Sequence, residues 1–124
     1  MVNKDNMRKA TEALRSGKYE QAEGALREGN AFCALGVICD TSGVGQWAKS
    51  SKYSIYAYTT ATDRSAGSLP NDVLDWLGLD ALLPNNALPL HDEDGTVSDV
   101  LTLNDDLKYN FDRIAALIEK EYEL

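Results

Sequence analysis

Cys33, His91 and Asp92 are the residues whose types could carry covalent chemistry. A thiol at the start of a helix is shifted toward thiolate by the helix dipole, the arrangement found in papain-like and amidase-type hydrolases. Such a nucleophile needs a base, and His91 is the one histidine of the chain. Asp92, Asp94 or Asn104 could orient that ring. The competing reading makes Cys33 and Cys39 small hydrophobes of a core helix, which is how free cysteines usually occur. His91 is then a surface residue beside an acidic turn. One cysteine and one histidine form a weak coincidence, so no catalytic residue is favoured. A thiol hydrolase using Cys33, His91 and Asp92 stands as the alternative.

Metal and nucleotide chemistry find less support. Five residues separate Cys33 from Cys39 rather than the two to four of zinc motifs, and one histidine cannot complete a four-ligand set. Counting Asp92 as the first position of a calcium loop puts Val97 where the glycine belongs and Leu103 where the bidentate glutamate belongs. Gly43-Val44-Gly45 is a lone G-x-G without the downstream glycine of a dinucleotide fingerprint, and no Walker loop or nucleophile elbow occurs. The expectation is therefore no cofactor and no metal.

Contacts with another protein are the remaining chemistry. Trp47, Tyr53, Tyr56, Tyr58 and Trp76 could build a binding face. Alternation along a strand puts Tyr53, Ile55 and Ala57 on one side, with Tyr56 and Tyr58 on the other. Exposed aromatic residues are the commonest hot spots of interfaces. Trp47, Tyr56 and Tyr58 are the aromatic contact candidates, and Asp92, Glu93 and Asp94 the charged ones.

These residues need elements to position them. Residues 4–16 read as an amphipathic helix with Met7, Ala10, Thr11 and Leu14 on one stripe and Gly17 beyond its end. Residues 18–28 fit a helix by spacing, but Gly24 weakens it. Asn30 reads as the cap of a helix over about 31–40 that is apolar on every side and therefore central to the core. Gly36 within it lets a neighbour approach closely. Residues 53–60 are dense in aromatic and β-branched types and read as a strand, and 63–68 as a turn. Pro70 starts a short helix that Gly78 ends, with Val73, Leu74, Trp76 and Leu77 inward. Pro84, Asn85, Asn86 and Pro89 break the following stretch. Asp94-Gly95 signals a hairpin with arms 88–92 and 96–103, and 104–106 is a loop. A last helix over about 110–122 places Phe111, Ile114, Ala115, Ile118 and Tyr122 in a stripe about 100° wide, capped by Asn110 or Asp105. The expected fold class is α+β: one domain over residues 1–124, its buried central helix and amphipathic C-terminal helix packed with a short antiparallel sheet or hairpin.

A chain of 124 residues with 44% apolar and 26% charged content builds one core without staples. Its net charge of −8 is unevenly divided. Residues 1–52 hold eight Lys/Arg against six Asp/Glu, and residues 53–124 hold four against fourteen. An acidic chain lacks the cationic footprint that nucleic acids and anionic membranes require, so neither is an expected partner. That field suits neutral or basic proteins, and a homo-oligomer stays open. Met1 to Lys9 has no apolar signal-peptide core, and the run from Phe32 to Cys39 is far short of a membrane span. If Cys33 and Cys39 share a helix they lie about 9 Å apart along its axis, beyond the roughly 7 Å reach of a disulfide. Two unpaired thiols suit a reducing cytoplasm.

Several blocks recur together. They are Ala13-Leu14-Arg15-Ser16-Gly17-Lys18-Tyr19-Glu20-Gln21, Gly24-Ala25-Leu26-Arg27 and Phe32-Cys33-Ala34-Leu35-Gly36-Val37-Ile38-Cys39-Asp40. Leu69-Pro70-Asn71-Asp72-Val73-Leu74-Asp75-Trp76-Leu77-Gly78-Leu79, Leu103-Asn104-Asp105 and Phe111-Asp112-Arg113-Ile114-Ala115 complete them. In this order the chain resembles a family of small uncharacterised proteins of bacteriophage and bacterial genomes; residues 46–66 and 80–100 lie outside the resemblance. The family carries no established activity. The likeness implies a phage or prophage source, an intracellular accessory role in the host, an extended or turn-like form for Lys18 to Arg27, and a fixed Asn104-Asp105 loop before the last helix. It leaves His91 in an unmatched stretch. The leading expectation is a non-enzymatic, acidic protein-binding module with a host protein as partner, a phage-encoded accessory protein that modulates a host enzyme or defence factor. A minor virion component and a small-ligand sponge are further alternatives.

Overall fold

The first helix forms where the stripe of apolar residues requires it. In the computed structural model, which describes residues 1–50, 54–81 and 85–124, α1 spans Lys4–Arg15 and buries Met7, Ala10, Thr11 and Leu14. The Asn3 side chain caps it by accepting from the Asn6 amide, while Asp5 in the first turn and Arg15 in the last complement its dipole. The chain then extends rather than coiling. Glu20–Gln21 is β1, Arg27–Glu28 is β2 and Ala31–Phe32 is β3. Gly24 lies between β1 and β2 at φ +85°, a conformation that suits glycine.

Because β3 takes residues 31 and 32, the central helix starts later than its apolar run suggests. Helix α2 spans Ala34–Ser42, and its cap is Cys33, not Asn30; the Cys33 sulfur accepts from the Gly36 amide at 3.4 Å. Asn30 instead accepts from the Arg27 guanidinium. Residues 34 to 39 of α2 are all buried, as a helix apolar on every side requires. Gly36 allows a close approach: a Cβ there would lie 1.8 Å from the Leu26 carbonyl oxygen.

Two strands follow, one of which the sequence did not suggest. Gln46–Lys49 is β4, and Ile55–Thr59 is β5; Tyr53, at the start of the expected strand, lies outside the described residues. Arg64–Ser65, expected as turn, is a two-residue strand, β6. The sheet runs β1-β3-β2-β5-β4, with β6 also paired to β5. Only β1 and β3 are parallel among these neighbours. Arg27 is opposite Phe32 on one side and Tyr56 on the other, Tyr56 is opposite Lys49, and Tyr58 is opposite Trp47. Side chains repeat with period two along a strand, so Phe32, Arg27, Tyr56, Tyr58, Trp47 and Lys49 share one face.

Helix α3 spans Asn71–Leu77 with Pro70 one place outside it, as the cap, and ends at Gly78 in the left-handed region. The chain's first residues cross this glycine so closely that a Cβ would lie 2.3 Å from the Met1 carbonyl oxygen. Pro84 lies outside the described residues; Asn85–Ala87 form a single 3-10 turn. The hairpin forms as Asp94-Gly95 predicts, with β7 at Pro89–His91 and β8 at Val97–Asp99. Its second arm is shorter than expected. The Asp99 carboxylate accepts from the Thr102 amide and starts a helix, α4, over Val100–Asp105. Asn104 and Asp105 are thus the end of a helix and not a loop. The last helix, α5, spans Phe111–Glu121 and is capped by Asn110.

The result is an α+β domain whose core joins α1, α2, α3, α4 and α5 to the sheet. Asn104 is its polar hub and is 1% exposed. Its Oδ1 accepts from the Ala34 amide and Gln21 Nε2, while its Nδ2 donates to the Ala22 carbonyl and the Asp105 carboxylate. One side chain therefore ties β1, the start of α2 and the end of α4 together.

Candidate functional site

Four rings form a ladder on the shared face of the sheet. Tyr19 meets Phe32, Phe32 meets Trp47 and Trp47 meets Tyr58, with centroids 5.1, 5.6 and 4.8 Å apart, each pair edge to face. Asp40, on α2, holds the ladder at both ends: its carboxylate accepts from Tyr19 Oη at 2.6 Å and from Trp47 Nε1 at 3.0 Å. Burial first, and then the bond to Asp40, push the Tyr19 phenol up to about 12. Tyr58 is not the exposed contact expected of it. It is 2% exposed within the core, and its hydroxyl accepts from the Gly45 amide. The strand's two faces are not simply core and solvent, because Ala57 on the opposite face is buried as well.

Arg27 lies over this ladder. Its guanidinium carbon is 4.0 Å from the Tyr56 centroid, 5.2 Å from Phe32 and 5.7 Å from Trp47. Each distance lies within the reach of a cation–π contact. Its Nε donates to the Gly29 carbonyl, and its terminal nitrogen reaches Asn30 at a long 3.4 Å. The ion pairs of the described residues join Arg8 to Asp5, Arg15 to Glu119, His91 to Glu121, Lys108 to Glu23 and Arg113 to Glu93. Neither Arg27 nor Lys49 is among them. Among the described residues Lys4, Lys9, Lys18, Arg64 and Lys120 make none either; what marks Arg27 and Lys49 is their place beside half-buried Trp47 and Tyr56.

Next to this shelf the sheet ends. The Ser50 amide donates to the Ile55 carbonyl, so the directly bonded pairs are Ser50–Ile55, Ala48–Ala57 and Gln46–Thr59. Trp47 and Lys49 belong to the alternate pairs, and their backbone N–H and C=O point away from β5. Among the described residues no strand pairs with this side of β4. A surface depression of about 440 Å³ adjoins it, lined by Gly45, Gln46, Trp47, Ala48, Thr59 and Thr60 among others.

The cysteine is enclosed in the core and the histidine is exposed. Cys33 is 1% exposed, and burial pushes its thiol up to about 11, against the smaller opposing effect of the Gly36 amide. Cys39 is fully buried, and its thiol is likewise pushed well up by burial. The helix N-terminus beside Cys33 therefore does not yield a thiolate at neutral pH; desolvation outweighs the dipole. His91 is exposed on β7, and both its amide and its ring Nδ1 meet the Glu121 carboxylate on α5, at 2.7 and 2.9 Å. No hydrogen bond joins His91 to Cys33 or Asp92.

The three acids of the hairpin are engaged within the chain. Asp92 accepts from the Tyr109 hydroxyl at 2.9 Å, Glu93 pairs with Arg113 through two bonds, and Asp94 accepts from the Thr96 amide. Arg113 in turn stacks on Tyr109 at 3.5 Å. Of the expected contact residues, Trp47 and Tyr56 are the ones gathered at a single surface. Arg27, Lys49 and Asp40 were not anticipated there. Period-two alternation could have put Lys49 and Trp47 together, but the strand order that brings Arg27 against Tyr56 is a long-range fact.

Among the described residues no group of histidines, cysteines and carboxylates is arranged to hold a metal, and no helix is long and apolar enough to cross a membrane. No curated protein and no solved structure matches the chain. Residues 2–122 match a domain of unknown function, DUF8296. With nearly the whole fold inside that match, from the Asn3 cap of α1 to the end of α5, the chain belongs to the DUF8296 family.

Proposed function

We propose that the protein is a non-enzymatic, acidic protein-binding module of the cytoplasm, encoded by a phage to modulate a host enzyme or defence factor. It binds at the free edge of β4, around Trp47 and Tyr56. The observation that carries this reading is the outward set of N–H and C=O groups on Trp47 and Lys49 beside half-buried aromatic rings. Unpaired edge groups are a ready template for an added strand, and aromatic rings supply contact area at low entropic cost.

Selection of a random-peptide display library against the protein tests the reading. Lys49→Pro is the control: it removes an N–H that faces solvent and no bond to β5, yet it blocks strand addition. Enriched peptides that bind the native protein and lose at least about tenfold in affinity to Lys49→Pro are expected. Failure to enrich any peptide, or equal binding to Lys49→Pro, contradicts it.

A further inference from the structure

From the depression beside this edge we infer the chemistry of the partner: an extended segment, added to β4, whose residue opposite Ala48 carries a large apolar side chain that fills the depression. The inference rests on the strand-addition reading above and adds to it the side chain that is selected.

Register supplies the geometry. A strand added antiparallel outside β4 bonds to the N–H and C=O of Trp47 and Lys49, so its residue opposite Ala48 projects on the Ala48 face. Gln46 and Thr59 share that face, and all three line the depression. The lining follows the chain from Val44 to Ala48, so much of it belongs to β4 or to the residues just before it. An added strand lies one spacing away, about 4.8 Å. Its side chain opposite Ala48 has only a methyl group beside it and leans across that methyl group into the space.

Short side chains keep the space open. Gly45 and Ala61 line it together with Ala48. Gly45 packs onto β5 so closely that a Cβ there would lie 2.3 Å from the Thr59 carbonyl oxygen. The volume of about 440 Å³ is within the roughly 300–1,000 Å³ of clefts that enclose small organic groups. Val44, an exposed residue, adds an apolar wall.

Charge decides what can fill it. Every lining residue is uncharged. From Thr41 to Thr62 the sequence has no Asp or Glu, although the chain has 20. Asp63, the next acid along, spends its carboxylate on the Arg64 and Asn71 amides. Lys49 and the Trp47 ring, with Asp40 bonded to it, belong to the opposite face. A charged side chain in the depression would lose hydration and meet no counter-charge, whereas an apolar one gains by leaving water. A pocket for alternate side chains is how strand addition acquires specificity.

The test uses the whole protein and four fluorescently labelled decapeptides of threonine and serine that differ at one central residue, Phe, Gln, Glu or Lys. Binding is read by anisotropy and by amide chemical shifts. The Phe peptide is expected to bind at least about tenfold more tightly than the other three and to shift the amides of Gly45, Trp47, Lys49 and Ala61. Ala61→Glu alters an exposed residue outside the strands and is expected to erase that advantage while the Gln peptide binds as before. Val44→Ser, also at an exposed residue, should reduce it severalfold and keeps the test decisive if Ala61→Glu disturbs its turn. Equal binding of all four peptides, still abolished by Lys49→Pro, overturns the apolar side chain while leaving strand addition standing. Tighter binding of the Glu or Lys peptide does the same. The absence of any shift at Trp47 and Lys49 with all four removes both readings. Shifts at these two amides on raising the protein concentration alone identify a second copy as the occupant and overturn the inference.

Discussion

Cys33 sits where a helix dipole would activate a thiol, yet it is enclosed by the core and spends its sulfur on capping α2. Neither Cys33 nor Cys39 is expected to react with iodoacetamide at neutral pH until the protein is unfolded in denaturant. Mass spectrometry showing rapid native labelling of Cys33 would contradict this. The same burial predicts an alkaline limit to stability. Both thiols have folded values raised above their ordinary one, so the folded state holds their protons more tightly than the unfolded chain does. The contribution of Cys33 is present below about 9 and is lost as pH rises through about 11, and that of Cys39 has the same sign. Chemical denaturation across that window should show a falling midpoint. Cys33→Ser, a better cap with no ionisation in that range, should flatten the Cys33 share of the fall.

Asn104 is the residue whose loss should be costliest for its size. Asn104→Ala leaves the Ala34 amide and the Ala22 carbonyl without a partner in a buried place and takes from Gln21 one of its two bonds. A buried polar group left unpaired costs about 1–3 kcal/mol. Thermal or urea denaturation is expected to show a loss of roughly 2–4 kcal/mol, and a loss near zero would mean that water replaces the side chain.

At the scale of elements, the close packing of α2 on the segment before β2 depends on a missing methyl group. Gly36→Ala would drive a Cβ into the Leu26 carbonyl, a backbone atom that cannot swing aside. A destabilisation of about 1–3 kcal/mol or more is expected, measured by the same denaturation. Local signals made much of this architecture legible. The stripe of Met7, Ala10, Thr11 and Leu14 gave α1 its buried face, Asn110 capped α5, and Asp94-Gly95 turned the hairpin. The misreadings share one physical cause. Ala31 and Phe32 are apolar enough to continue a helix, but pairing with β1 and β2 claims them for the sheet. Asp99 looks like the middle of a strand until its carboxylate is seen to cap α4. Strand β4 has only Trp47 and Ala48 as apolar residues, and it exists because β5 pairs with it. The candidate site was legible as Trp47 and Tyr56, whereas Arg27 joins them only through the order of strands.

For the whole molecule, the uneven charge has a structural counterpart. The hairpin acids are consumed by Tyr109, Arg113 and backbone amides, and His91 is consumed by Glu121. Among the described residues the outer side of β4 pairs with no strand, and an aromatic shelf lies beside it. Residue-resolved amide hydrogen exchange on β4 tests this most directly. In the free protein the Ala48 and Ser50 amides, bonded to β5, should exchange slowly, and those of Trp47 and Lys49 fast. Adding a peptide selected against the protein from the display library should slow Trp47 and Lys49 and leave Ala48 and Ser50 as they were. Protection of all four amides in the free protein, or no change at Trp47 and Lys49 under saturating peptide, would contradict the account.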